Sequence, residues 1–117
     1  MRKLGALILG TITVQIVEAS PSEFPELATQ WAHYDPEKAT IRISMHTSPD
    51  RFESILVHEI LHACFDVTQM GVKLAAVVKK KHAESIEEDL VSALTHVLTQ
   101  AIHQYPKIKR PRKRAEK

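Results

Sequence analysis

Two histidines, separated by three residues and with a glutamate directly after the first, form the segment His58-Glu59-Ile60-Leu61-His62. On an α-helix, residues four apart lie on one face, so both imidazoles can bind one metal ion. Zinc binds imidazole nitrogen at about 2.0–2.1 Å, and in catalytic sites it keeps one position open for water. Zinc lowers the pKa of that water, and Glu59 can take its proton as general base. The spacing predicts a catalytic zinc site of the metallopeptidase type.

A catalytic zinc site normally has a third protein ligand. The long metzincin pattern does not supply one here, because Phe65 and Thr68 stand where that pattern has Gly and His. His82 and His96 are weak candidates. The natural candidates are three carboxylates near the start of a predicted second helix, Glu84, Glu87 and Glu88.

Glu88 has a competing structural role. The segment Ser85-Ile86-Glu87-Glu88 matches a capping box, in which the fourth residue closes the start of a helix. Glu87 projects closer to the apolar face of the same helix and is the rival ligand. The residues alone leave the choice between Glu87 and Glu88 open.

The His58–His62 motif falls inside a predicted helix that runs from about Pro49 to about Val67. Ser48 can cap this helix, and Pro49 suits its first position. Apolar residues surround the motif, as expected of a core helix that holds a site at its edge. This disfavours the alternative of two surface histidines flanking a glutamate. The second helix is predicted over about Ser85–His103, where apolar residues recur at helical spacing, and Pro106 ends it.

Two segments alternate between apolar and polar residues, the pattern of a strand. The first is 3–17, with a turn at Gly10, and the second is Thr40–Met45. The N-terminus also has features of a signal peptide, but the period of two favours strands over secretion.

The segments between the strands and helices are predicted to be less regular. Residues 18–30 are predicted to form a loop or a short helix, and Tyr34–Lys38 a turn, while Leu74–Lys81 can be helical. These elements predict an α+β fold, in which a small N-terminal antiparallel β-sheet packs on the active-site helix and on a second long helix.

Charge divides the chain into a domain over residues 1–106 and a tail over 107–117. The tail has seven basic residues and one acidic residue, so its charge is +6. Since the whole chain has a net charge of +2, the domain carries about −4. Without apolar periodicity the tail is expected to be disordered, and it can contact nucleic acid.

Cysteine and hydropathy restrict the class of protein further. Cys64 is the only cysteine, so no disulfide can form within the chain and a Cys-rich zinc site is excluded. The seven histidines and the carboxylates must supply any metal ligands. A single cysteine fits a reducing compartment, so a cytoplasmic location is expected. No run of 18 apolar residues is present, and no membrane span is expected.

The order of these elements resembles that of small phage-type and bacterial zinc peptidases related to the ImmA/IrrE group. The matching pieces are Ile41–Ile43, Ile55–Ala63 and Glu87–Leu94, within roughly residues 10–105. The resemblance implies a minimal zincin-like fold with His58, His62 and Glu88 as zinc ligands and Glu59 as the base. Val91 and Leu94, at +3 and +6 from Glu88, favour it over Glu87. Ser92 departs from the pattern, since such chains commonly have Asn there.

The expected reaction is hydrolysis of a peptide bond in a protein or peptide substrate. Similar peptidases hold an extended substrate along an edge strand, and Thr40–Met45 is the expected strand, with Ile43→Pro as its test. The alternative function is that of an inactive module with the same fold, which binds protein or nucleic acid through its basic tail.

Overall fold

The computed structural model describes residues 1–104, apart from five side chains near the C-terminal end of the last helix. Pro106 and the basic segment 107–117, with its expected disorder and nucleic-acid contact, lie outside this range. The described chain forms the strands β1 (Arg2–Leu9), β2 (Ile12–Ala19), β3 (Ala32–Asp35) and β4 (Thr40–Ser44), and the helices α1 (Pro49–Val67), α2 (Met70–Val77) and α3 (Lys80–Gln104), with a 3-10 helix at Pro25–Ala28.

The strands form one sheet in the order β1-β2-β4-β3. The α+β class is confirmed, as are strands over 3–17 with a turn at Gly10, whose φ is +63°. The prediction of a purely antiparallel sheet is wrong, because β2 and β4 pair in parallel. The physical reason is burial: Ile41 and Ile43 of β4 are 0% and 1% exposed, which favours a central position for that strand.

The predicted turn at Tyr34–Lys38 is partly wrong. Tyr34 and Asp35 belong to β3, which pairs antiparallel with β4, and the turn follows them. Ala32 and Tyr34 are buried in the core, and this alternation gives the short strand one apolar face. The tight connection needs a positive φ of 46° at Ala39. As a result, β3 rather than β4 is an edge strand of the sheet.

Helix α1 has the bounds that the sequence predicts, Pro49–Val67. One of its faces packs against the sheet, where Ala63 and the partly buried Leu56 and Ile60 join the core. Because residues four apart lie on one side of a helix, His58 and His62 share a second face, and both rings contact residues of α3 there. The burial of the first face therefore fixes the direction of the second.

The helices after α1 begin earlier than the sequence predicts. The residue with left-handed backbone after α1 is Gln69, with φ 60°, and α2 starts at Met70. Helix α3 starts at Lys80 rather than Ser85, because the polar residues of its first turn favour helix without any apolar periodicity. Ser85 is therefore an interior residue of α3, and the capping-box role of Glu88 is wrong.

Helix α3 packs against α1 through small and apolar residues spaced along one face. Ala83, Val91 and Thr95 are buried on this face. Within residues 1–104, no single helix is long and apolar enough to span a membrane; α1 and α2 reach that length and composition only together, across a 68° bend.

Candidate metal centre

The packing of α1 on α3 brings His58, His62 and Glu88 together. One potential ligand atom from each side chain lies within 4.8 Å of the others, so the group could hold a metal ion. The two histidine rings have centroids 5.0 Å apart and are steeply inclined, at 67°. The Nε2 atom of each ring faces the carboxylate of Glu88.

The distances in this group suit a small tetrahedral ion. Nε2 of His58 lies 3.3 Å from Oε1 of Glu88, and Nε2 of His62 lies 3.2 Å from Oε2 of the same carboxylate. Two ligand atoms on a tetrahedral zinc, with bonds of about 2.0–2.1 Å, are about 3.3 Å apart. Two imidazole nitrogens and a carboxylate also form a ligand set that zinc commonly takes. The residues present therefore fit a zinc ion.

Partial burial favours the neutral form of His58. Removal from water lowers the pKa of this histidine, and the neighbouring His62 lowers it further, while Glu88 acts in the opposite direction. A metal binds the neutral imidazole, so the environment favours the form that acts as a ligand.

Glu59 is buried beside the group and outside it. Its residue surface is only 9% exposed. Burial raises the pKa of its carboxyl, and Glu88 adds to that rise; His62 and a backbone hydrogen bond from Tyr34 oppose it. A carboxylate with a raised pKa is a stronger base, which suits a group that must take a proton and return it.

Glu87, the rival ligand, has a different place in the structure. Its Oε2 lies 2.9 Å from Nδ1 of His62, on the side of the ring that faces away from Glu88. Glu87 and Glu88 thus contact opposite nitrogens of one imidazole. The two carboxylates are therefore not interchangeable, and Glu88 is the one that joins the group.

Two further residues of α3 contact the group. Thr95 is buried, and its Oγ1 lies 3.5 Å from Nδ1 of His58. Ser92 donates a long hydrogen bond of 3.5 Å to Oε1 of Glu88. Glu84, at the edge of the cleft, and the exposed His82 and His96 are outside the group that can hold a metal.

A cleft of about 1110 Å³ opens over the group, with β3 along one side and α2 and α3 along the other. The register of β3 decides what this strand presents to the cleft. Ser44 donates its N–H to the carbonyl of Trp31. Because bonded and non-bonded pairs alternate in an antiparallel ladder, the backbone groups of Ala32 and Tyr34 point away from β4. The N–H and C=O of Ala32 and the C=O of Tyr34 are available at the open edge, whereas the N–H of Tyr34 is hydrogen-bonded to Glu59.

The expectation that Thr40–Met45 holds an extended ligand is therefore wrong. β4 has neighbours on both sides, so its backbone groups are used within the sheet. Ile43→Pro would disrupt the core and would not test a binding edge. The strand that lies beside α1 is β3. The sequence does not predict this strand, because four residues are too few for a clear alternating pattern.

The phenol of Tyr34 links β3 to the end of α1. Its hydroxyl donates a 2.8 Å hydrogen bond to Oδ2 of Asp66. Neither this link nor the contact of Thr95 was predicted. The position of Thr95 was a usable signal, since it stands seven residues after Glu88, on the same face of α3. The pairing of Tyr34 with Asp66 depends on tertiary packing and has no local signal.

Comparison with protein-family models, with curated proteins and with solved structures finds no match to this chain.

Proposed function

We propose that this chain is a zinc-dependent peptidase similar to the ImmA/IrrE group. The observation that carries the proposal is the placement of a buried carboxylate, Glu59, next to two imidazoles and a carboxylate that can share one metal ion. A purely structural metal site needs its ligands, but it has no use for an additional buried acidic group whose pKa is raised.

His58, His62 and Glu88 would hold the zinc. A bound zinc supplies a Lewis acid, which acidifies water and stabilises negative charge that develops on a carbonyl oxygen. Glu59 takes the proton of the attacking water and passes it to the nitrogen of the leaving amine. Its burial keeps the carboxylate away from bulk water, so the proton stays near the reacting atoms.

The open edge of β3 would position the substrate. An extended peptide can form backbone hydrogen bonds with the N–H and C=O of Ala32 and with the C=O of Tyr34, which point away from β4. The backbone N–H of Tyr34 is hydrogen-bonded to Glu59. A peptide on this edge therefore runs past the base, and this supports a peptide bond as the substrate.

The first experiment is the metal content of the purified protein beside His58→Ala and Glu59→Gln. The proposal predicts one equivalent of zinc in the wild type, loss of zinc in His58→Ala and retention in Glu59→Gln. His58 and Glu59 are neighbours on one helix, so a difference in zinc content between the two variants distinguishes a metal ligand from a base. A wild type that takes up no zinc after reconstitution would contradict the proposal.

A further inference from the structure

Both histidines of the candidate metal centre have their second ring nitrogen in contact with α3. Nδ1 of His62 lies 2.9 Å from Glu87, and Nδ1 of His58 lies 3.5 Å from Thr95. The Nε2 atom of each ring faces Glu88. The same helix therefore contacts both sides of both rings.

The chemistry of Glu87 determines the direction of its hydrogen bond. An ionised carboxylate has no proton to donate and can only accept. Nδ1 of His62 must therefore be the donor. A neutral imidazole has a single N–H, so a proton on Nδ1 leaves Nε2 with a free lone pair.

Thr95 gives the same result for His58 by another route. A threonine hydroxyl has one proton, and that of Thr95 is donated to the carbonyl of Val91 over 2.6 Å. Its oxygen has only lone pairs left for His58. Nδ1 of His58 must then be the donor, and again Nε2 has the free lone pair.

We propose that Glu87 and Thr95 are positioning residues that keep the proton of each histidine on Nδ1 and so present both Nε2 atoms to the metal. This inference rests on the proposed function, because it assigns roles around the same ion. It also explains why two adjacent glutamates are present: Glu88 faces the ion, while Glu87 orients a ligand. Hydrogen bonds of this kind orient metal-bound histidines and increase their basicity.

The two contacts should differ in strength. The bond to Glu87 is short and charge-assisted, whereas the contact of Thr95 is at the long limit of a hydrogen bond. Loss of the partner of a metal-bound histidine typically weakens metal binding by about 10- to 100-fold. We expect a loss in this range for Glu87→Leu and a smaller one for Thr95→Val.

Each variant has a matched control on the same helix. Glu84→Leu removes the same charge one turn earlier, at the exposed edge of the cleft. Thr99→Val makes the same change one turn after Thr95, at a hydroxyl that has no hydrogen-bond partner among the described residues. Glu87→Gln keeps an acceptor oxygen and should recover most of the affinity that Glu87→Leu loses.

The test uses the full chain and zinc alone, with affinity measured by competition against a chromophoric chelator. In the zinc-loaded protein, ¹⁵N–¹H NMR of the imidazoles reports which nitrogen of each ring carries the proton. We expect a slowly exchanging Nδ1 proton on His62 in the wild type and in Glu87→Gln, and rapid exchange in Glu87→Leu. A merely structural role of Glu87 would leave this signal unchanged.

Wild-type affinity in both Glu87→Leu and Thr95→Val, or a ring bound through Nδ1, would overturn the inference while the metal site itself stands. Equal losses in Glu84→Leu and Glu87→Leu would also overturn it, because general charge would then explain the effect. Failure of the zinc-loaded wild type to cleave peptides would count against the proposed function alone, since neither the zinc affinity nor the NMR signal of the imidazoles depends on turnover.

Discussion

The hydroxyl of Tyr34 in β3 donates a 2.8 Å hydrogen bond to Asp66 in the last turn of α1. This bond joins the edge strand to the helix that carries His58 and His62. The same tyrosine packs in the core and offers its backbone N–H to Glu59. Tyr34 therefore fixes the distance between the open strand edge and the candidate base.

This bond predicts a dependence of stability on alkaline pH. Burial, together with the bond to Asp66, raises the pKa of Tyr34 to about 12, whereas an unfolded tyrosine titrates near 10. The neutral phenol stabilises the native state fully below pH ~10, and this contribution is lost as pH rises from ~10 to ~12. Urea unfolding of the wild type and Tyr34→Phe should therefore show a stability difference that narrows across this window. A difference that stays constant from pH 8 to pH 12 would contradict it.

A second prediction concerns Gly71 at the start of α2. A Cβ atom placed there would lie 3.2 Å from Oε1 of Glu87, which is tighter than an ordinary contact. Gly71→Ala should therefore displace the Glu87 carboxylate from His62 and weaken zinc binding, by less than Glu87→Leu. The stability of the zinc-free protein should not fall, because alanine favours helix over glycine.

Competition with a chelator measures the first effect and urea unfolding the second. Gly5→Ala is the control, since a Cβ atom at Gly5 meets nothing within 4 Å. Zinc affinity that is equal in Gly71→Ala and Gly5→Ala would show that the contact with Glu87 has no consequence.

A third prediction tests the open edge of β3. Ala32→Pro removes an N–H that points away from β4, so it should leave the pairing of β3 with β4 in place. We expect zinc binding to be retained and KM for a peptide to rise by roughly 2- to 10-fold, the value of about one hydrogen bond. His33→Pro is the contrast. His33 forms a hydrogen-bonded backbone pair with Arg42 of β4, so the loss of its N–H should destabilise the fold. An unchanged KM in Ala32→Pro would place the peptide elsewhere.

The sequence predicts the helix that carries the candidate site better than it predicts the sheet. Helix α1 has a serine at its N-cap position, although the side chain makes no capping hydrogen bond, and it has a proline in its first turn and a continuous apolar face, so its bounds follow from local signals. Helical spacing then places His58, Glu59 and His62 without knowledge of the fold. The residues alone do not select Glu88 over the adjacent Glu87; only the resemblance to the ImmA/IrrE group favours it.

The rest depends on tertiary structure. β3 has only four residues, and its hairpin partner β4 pairs in parallel with a strand that ends some twenty residues earlier. No local pattern specifies such a pairing. Residues 80–84 have no apolar periodicity, so the sequence does not predict the early start of α3. For the same reason Ser85 has the sequence features of a helix cap although it lies inside α3. The contacts of Glu87 with His62 and of Thr95 with His58 exist only because α3 packs on α1, so no local pattern indicates them.

The most direct test of the proposed function compares peptide cleavage by the zinc-loaded wild type and by Glu59→Gln, with products of an unstructured peptide library identified by mass spectrometry. We predict that both proteins hold one equivalent of zinc, that the wild type cleaves library members, and that Glu59→Gln cleaves them at least about 100-fold more slowly, as expected for loss of a general base. A fully loaded wild type that cleaves no library member, or a Glu59→Gln variant as fast as the wild type, would contradict the central claim.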